Sequence, residues 1–75
     1  MSNVEELLSK GKQLLEEDKL ENALEIFEQA LKLDPKNPDL WNLKGIALRS
    51  LGRYIEAVEC YEKSLEIDPR DKNAS

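Results

Sequence analysis

Shifted by thirty-four residues, the 75-residue chain matches itself, and nothing else in it narrows the fold as much. Lys10, Gly11, Leu14, Ala23, Glu25, Glu28, Leu31, Asp34 and Pro35 meet Lys44, Gly45, Leu48, Ala57, Glu59, Glu62, Leu65, Asp68 and Pro69. Nine of thirty-four positions are identical, and Leu7 with Trp41, Phe27 with Tyr61, Ala30 with Ser64 and Leu33 with Ile67 match in kind. A fixed internal period of this length marks a unit that cannot bury its apolar face alone and does so by stacking on a copy of itself. The chain therefore reads as one domain, residues 1–75, built from a unit at 4–37, a second at 38–71 and a tail at 72–75.

Each unit reads as two helices. Val4, Leu7, Leu8, Gly11, Leu14 and Leu15 recur at i, i+3, i+4 spacing over residues 4–17, with Ser2 or Asn3 as N-cap and Glu5 or Glu6 completing a capping box. A second helix runs from about Glu21 to Leu33, with Ala23, Leu24, Phe27, Ala30 and Leu31 inward. It stops before Pro35, because the residue preceding proline avoids the α region. Asn37 then caps a third helix, Pro38 occupies its first turn, where a missing N–H costs nothing, and Asp39 complements the dipole. Gly52 is a left-handed C-cap, and a fourth helix spans Tyr54 to Ile67. Gly11 and Gly45 lie in mid-helix, where glycine costs about 1 kcal/mol against alanine, so a close helix crossing is expected at both. Trp41 is expected to pack between the units rather than to anchor a ligand.

At this point the chain resembles the tetratricopeptide repeat, a helix-turn-helix unit with a spaced pattern of Trp, Leu-Gly, Tyr, Ala, Phe or Tyr, Ala and Pro. The second unit carries Trp41, Gly45, Ala57, Tyr61 and Pro69, and departs at Lys44, Leu48 and Ser64. The first carries Gly11, Ala23, Phe27, Ala30 and Pro35, and departs at Leu7, Lys10 and Leu14. The resemblance implies an all-α fold of four helices, antiparallel hairpins stacked as a right-handed α-solenoid, with a concave groove that binds a peptide or protein segment. By position, the groove would display Glu5, Leu8, Lys12, Leu15 and Glu16 from the first unit and Asp39, Asn42, Ile46, Arg49 and Ser50 from the second. The branch of the family that clamps chaperone carboxylate tails has lysine and asparagine where this chain has Leu8, Lys12 and Leu43, so that specificity is not expected.

The two ends differ. Glu6, Ser9, Gln13 and Glu17 in the first helix become Leu40, Leu43, Ala47 and Leu51 one unit later, a change from polar to apolar along one helix face. The N-terminal end reads as a solvated cap. At the other end Tyr61, Leu65 and Ile67 keep the apolar character of Phe27, Leu31 and Leu33 with no third hairpin to cover them. An uncovered apolar face marks a contact site. Self-association as a homodimer through the last helix, a docked partner, or a chain cut from a longer protein would each account for it.

Charge and residue inventory exclude several function classes. The formal net charge is −5, with no His and one Cys. Residues 1–37 hold nine acids against five bases and residues 38–75 seven against six, which argues against nucleic acid, a ligand that needs clustered Lys and Arg. No apolar run is long enough to span a bilayer and no leader is evident at Met1, so a cytoplasmic chain without a membrane partner is expected. A nucleophile needs an adjacent base, and Cys60 sits in an apolar stripe, so no catalytic residue is expected. The carboxylates recur at helical spacing among lysines and read as solvated helix faces, with neither a metal site nor a cofactor.

Overall fold

The computed structural model describes residues 3–69. Among them are four helices and no strand: α1 (Val4–Glu16), α2 (Leu20–Leu33), α3 (Pro38–Ser50) and α4 (Tyr54–Ile67). α1 pairs with α2 and α3 with α4 as hairpins, α2 packs on α3, and α1 touches α3. Among the described residues α4 packs on α3 and on no other helix.

The helix ends follow from side-chain chemistry. Asn3 is the first cap, its Oδ1 accepting from the Glu6 N–H at 2.9 Å, and Asn37 repeats the device on the Asp39 N–H at 3.0 Å, with Pro38 in the first turn of α3. Both hairpin turns close in the same way. The Lys19 N–H donates to the Leu14 carbonyl at 2.9 Å and that of Asp18 to Leu15 at 3.0 Å; Arg53 donates to Leu48 and Gly52 to Arg49, each at 2.9 Å. This 6→1 and 5→2 pair of bonds is the Schellman arrangement, which places one residue in the left-handed region. In the second unit that residue is Gly52, at φ 85°, as the sequence suggests; in the first it is Asp18, at φ 63°.

A side chain in that conformation costs about 1–2 kcal/mol, less for Asp and Asn, which bond locally. Asp18→Gly is therefore expected to stabilise the chain by several tenths of a kcal/mol to about 1 kcal/mol, and Gly52→Ala to destabilise it by about 1 kcal/mol. Urea unfolding of both variants checks the pair of opposite signs.

Two linked clusters form the core. The first gathers Ala23, Phe27, Ala30 and Leu31 of α2 around Leu40 of α3, with Leu7, Leu8 and Leu14 of α1 packed against them. The second joins Leu24 of α2 to Ala47 and Leu48 of α3 and Ala57 and Cys60 of α4. Leu15 and Trp41 touch both clusters, so the expected place of Trp41 between the units holds. Its indole N–H donates to the Pro35 carbonyl at 2.8 Å, which ties α3 to the link that precedes it. The polar-to-apolar switch is visible in burial: Glu6, Ser9, Gln13 and Glu17 are exposed, whereas Leu40 and Ala47 are fully buried and Leu43 and Leu51 half-buried.

Each mid-helix glycine faces an aromatic ring. A Cβ at Gly11 would overlap Phe27, and one at Gly45 would lie 2.7 Å from Cε1 of Tyr61. Tyr61 thus turns into the α3–α4 crossing, where its hydroxyl is buried without a hydrogen-bond partner. The first unit fills the same position with Phe27. An unsatisfied buried hydroxyl costs about 1–3 kcal/mol, so Tyr61→Phe is expected to leave stability unchanged or raise it by up to about 1 kcal/mol. A thermal melt that falls by several degrees would show that the hydroxyl has a partner in solution.

Candidate functional site

The residues expected from the sequence to line a groove stand on α1 and α3, which touch one another. On α1, Glu5, Lys12 and Glu16 are exposed while Leu8 and Leu15 are half-buried against the first core cluster. On α3, Asp39, Asn42, Arg49 and Ser50 are exposed and Ile46 is half-buried. Helical spacing puts Asn42, Ile46 and Arg49 on one face. Unlike Leu8 and Leu15, Ile46 belongs to neither core cluster, so its partial exposure is not explained by the hydrophobic core. The surface therefore alternates apolar stems with charged and amide heads, a composition suited to a peptide main chain and mixed side chains.

The opposite side of α3 carries a cavity of about 230 Å³ whose walls include Glu28, Trp41, Lys44, Arg53, Glu56 and Cys60. Here charges are paired. Lys44 Nζ lies 3.7 Å from Glu28 of α2 and 5.4 Å from the centre of the Trp41 ring, so one cation bridges the units and covers the indole. Arg53 donates twice to Glu56, at 2.6 and 3.0 Å. That hydrogen bond holds the Glu56 carboxyl below its ordinary pKa and raises Arg53 above its own. A lowered carboxylate contributes stability above its unfolded pKa and loses it as the pH falls through the acid range. Both groups are exposed and screened, so the effect is small. The carboxylates expected on solvated helix faces pair as Glu28 with Lys44 across helices and Glu66 with Lys63, each at 3.7 Å.

Cys60 and Ser64 lie on the inner side of α4. Ser64 is 2 % exposed and donates to the Pro38 carbonyl at 3.0 Å. Cys60 is 5 % exposed, and burial pushes its thiol pKa up, away from the thiolate that a nucleophile requires. Its alkylation at pH 8 is accordingly expected to be slow in the native chain and to accelerate in denaturant, where the thiol meets solvent; a thiol-reagent time course with and without urea measures both rates. Among the described residues no group of three His, Cys, Asp or Glu could hold a metal ion, and no helix is long and apolar enough to cross a membrane.

The last-helix face differs in detail from the sequence expectation. Leu65 and Ile67 are half-buried, and Tyr61 points inward at Gly45. The large apolar side chains that α4 exposes are Tyr54, Ile55 and Val58, at 64, 79 and 51 %. Sequence reading passed over these three, although the thirty-four-residue shift finds two of them: Tyr54 falls on Leu20, and Val58 on Leu24, which α3 covers in the first unit to 7 % exposure, whereas Ile55 falls on Glu21.

Comparison with known proteins agrees with this geometry. The family model described as "Tetratricopeptide repeat" matches residues 38–71, and that described as "TPR repeat" matches residues 11–48. The uncharacterized protein MJ0572 of Methanocaldococcus jannaschii is 46% identical over 48 residues, which cover 64% of this chain and 56% of that protein. The chain thus spans little more than half the length of the curated relative it matches. Two stacked hairpins, a glycine under an aromatic ring in each and two family matches make the chain a member of the tetratricopeptide repeat family, whose repeats are non-catalytic protein–protein interaction modules.

Proposed function

We infer that the chain is a scaffold module that binds an extended peptide or protein segment along the concave surface of α1 and α3. The observation that carries this reading is Ile46, a half-exposed isoleucine outside both core clusters and flanked on its face by the exposed Asn42 and Arg49. Buried apolar side chains with a few directional polar groups around them are what a peptide site needs. Asn42 supplies an amide that both donates and accepts, suited to a peptide main chain. Lys12 and Arg49 supply cations that select carboxylates, Arg49 with a planar fork for bidentate pairing. Leu8, Leu15 and Ile46 bury apolar side chains of the ligand between them.

A random-peptide display selection against the full chain tests the reading. Enriched peptides should bind the native chain and lose about tenfold in affinity on Asn42→Ala or Arg49→Ala, about 1.4 kcal/mol each. Circular dichroism melts of both variants should overlay the native curve, because both side chains are exposed. Peptides that ignore both substitutions, or a selection that enriches nothing over the bare support, would overturn it.

A further inference from the structure

We propose that the cavity between α2 and α4 binds a small zwitterion, of the size and chemistry of an α-amino acid with an apolar side chain. Among the described residues α2 and α4 each pack on α3 and not on one another, so a cleft opens between them. Of its walls, Leu48 and Cys60 are buried and Trp41 half-buried, whereas Arg53, Glu56, Glu59 and Lys63 are exposed, so the bottom is apolar and the mouth charged. The sequence leaves the room. Cys60 falls on Ile26 in the thirty-four-residue shift, a smaller side chain in place of a branched one, and Lys44 stands where the repeat pattern has leucine. A water takes about 30 Å³ of liquid volume, so about 230 Å³ holds about eight non-hydrogen atoms, the size of valine or leucine.

Two groups in the cavity lack the partners their charge calls for. The Lys44 side chain is 21 % exposed, and its nearest carboxylate oxygen, on Glu28, is 3.7 Å away, an ion pair too long for a hydrogen bond. Among the described residues the donors of this ammonium therefore have no acceptor, a costly arrangement for a charge held largely out of water. Glu59 is the converse. Arg53 holds Glu56 and Lys63 lies on Glu66, so among the described residues no cation pairs with Glu59. Besides burial, which raises the Cys60 thiol pKa most, Lys44 lowers it and Glu59 raises it, so both charges stand within electrostatic reach of one sulfur. Charge balance then sets the ligand class. Three cations, Lys44, Arg53 and Lys63, and three carboxylates line the cavity, so a ligand of one sign meets as many like charges as opposite ones. A carboxylate on Lys44 and an ammonium on Glu59, joined by a short body that lays an apolar side chain against Leu48, Cys60 and Trp41, meets only groups of the right kind.

The cleft does not depend on what lies against the far side of α4. In the first unit α3 covers the face of α2 that carries Leu24 and Leu31, while Asn22 and Gln29, the counterparts of Glu56 and Lys63, stay exposed. A further helix laid on Val58 and Leu65 in the same way leaves Glu56 and Lys63 exposed and the cavity open. The peptide surface uses Asn42, Ile46 and Arg49 of α3, none of which lines the cavity, so either site can fail without the other.

Trp41 is the chain's only tryptophan and lines the cavity, so its fluorescence reports on occupancy. The probe is L-leucine, titrated into the full chain, with heteronuclear NMR locating the shifts. A saturable change with a Kd of about 1–10 mM is expected, the scale for a ligand this small, with the largest shifts at Lys44, Glu59 and Cys60. Isoamylamine, which is leucine without its carboxylate, and isocaproate, which lacks the ammonium, should each bind at least about fivefold more weakly. Glu59→Gln, at an exposed position, should weaken leucine about threefold and leave isocaproate unchanged; Lys44→Met should weaken leucine about fivefold and leave isoamylamine unchanged. Cys60→Ile, the first unit's residue, should fill the cavity and abolish binding, and where that variant melts early Glu59→Gln decides. Asn42→Ala and Arg49→Ala should change nothing. No saturable change up to about 100 mM leucine overturns the proposal. Isoamylamine, isocaproate or isoamyl alcohol binding as well as leucine also overturns it, since the cavity would then read one charge or none. So does leucine binding indifferent to both Glu59→Gln and Lys44→Met.

Discussion

Leu40→Ala is expected to cost about 2–5 kcal/mol, the range for a truncated core leucine, and to leave the chain at or below the threshold of folding. The side chain is fully buried, and it enters the first unit's cluster from the second unit's first helix. Ala23, Phe27, Ala30 and Leu31 around it are themselves buried, so the cavity left behind has little freedom to collapse. A single core of this size supplies only about 3–5 kcal/mol in total, which makes the loss comparable to the whole stability. Urea unfolding followed by circular dichroism measures it. Two companions keep the result interpretable. Glu6→Ala, thirty-four residues earlier and exposed, should shift stability by less than about 0.5 kcal/mol, and Leu40→Met, which keeps the volume, by less than about 1.5 kcal/mol. If Glu6→Ala proved as damaging as Leu40→Ala, the first unit's outer face would not be a solvated cap, and the asymmetry between the two ends would fail with it.

That asymmetry was legible in the sequence because it is a difference between two copies of one unit. Where Leu40 replaces Glu6 and Ala47 replaces Gln13, the environment must differ, and burial follows the substitutions position by position. The choice between Ser2 and Asn3 as first cap could have been settled by the same comparison, since Asn3 falls on Asn37 and both cap their helices. The inward turn of Tyr61 was harder to read. It shares a helix with Val58 and Leu65, and all three look equally apolar; which way each points depends on where the helix axis lies relative to α3, a tertiary fact. The glycine at 45 held the clue, because a helix approached closely by an aromatic ring needs a residue without Cβ there. Cys60 and Ser64 face α3, a placement that depends on the same tertiary fact. Asp18 hid a left-handed turn because only its counterpart Gly52 advertises that conformation. The groove residues were placed by family resemblance, and their spacing holds on α1 and α3, but only the partial exposure of Ile46 separates a binding face from an ordinary solvated one.

The glycines supply the second large effect, and its sign is the informative part. Intrinsic propensity alone says that Gly11→Ala and Gly45→Ala should each stabilise a helix by about 1 kcal/mol. Geometry says the reverse. The new methyl at Gly11 would occupy the edge of the Phe27 ring, and that ring is fully buried among Ala23, Ala30, Leu31 and Leu40, so it cannot retreat. Overpacking of this kind costs about 1–3 kcal/mol, and a net loss of up to about 2 kcal/mol is expected once the propensity gain is subtracted. From a Cβ added at Gly45 the nearest Tyr61 carbons would stand at 2.7 and 2.9 Å, and Tyr61 is only half-buried, so its ring has somewhere to go. Gly45→Ala is therefore expected to cost less than Gly11→Ala, and a double-mutant cycle shows why: Phe27→Leu combined with Gly11→Ala should be less damaging than the sum of the two, because each change relieves the other. Equal effects at the two glycines, or additivity between Gly11→Ala and Phe27→Leu, would mean that the rings do not set the crossing distance. Stabilisation at both would mean that the hairpins close without needing a residue that lacks Cβ, and the inward placement of Tyr61, on which the outward face of α4 depends, would have to be redrawn.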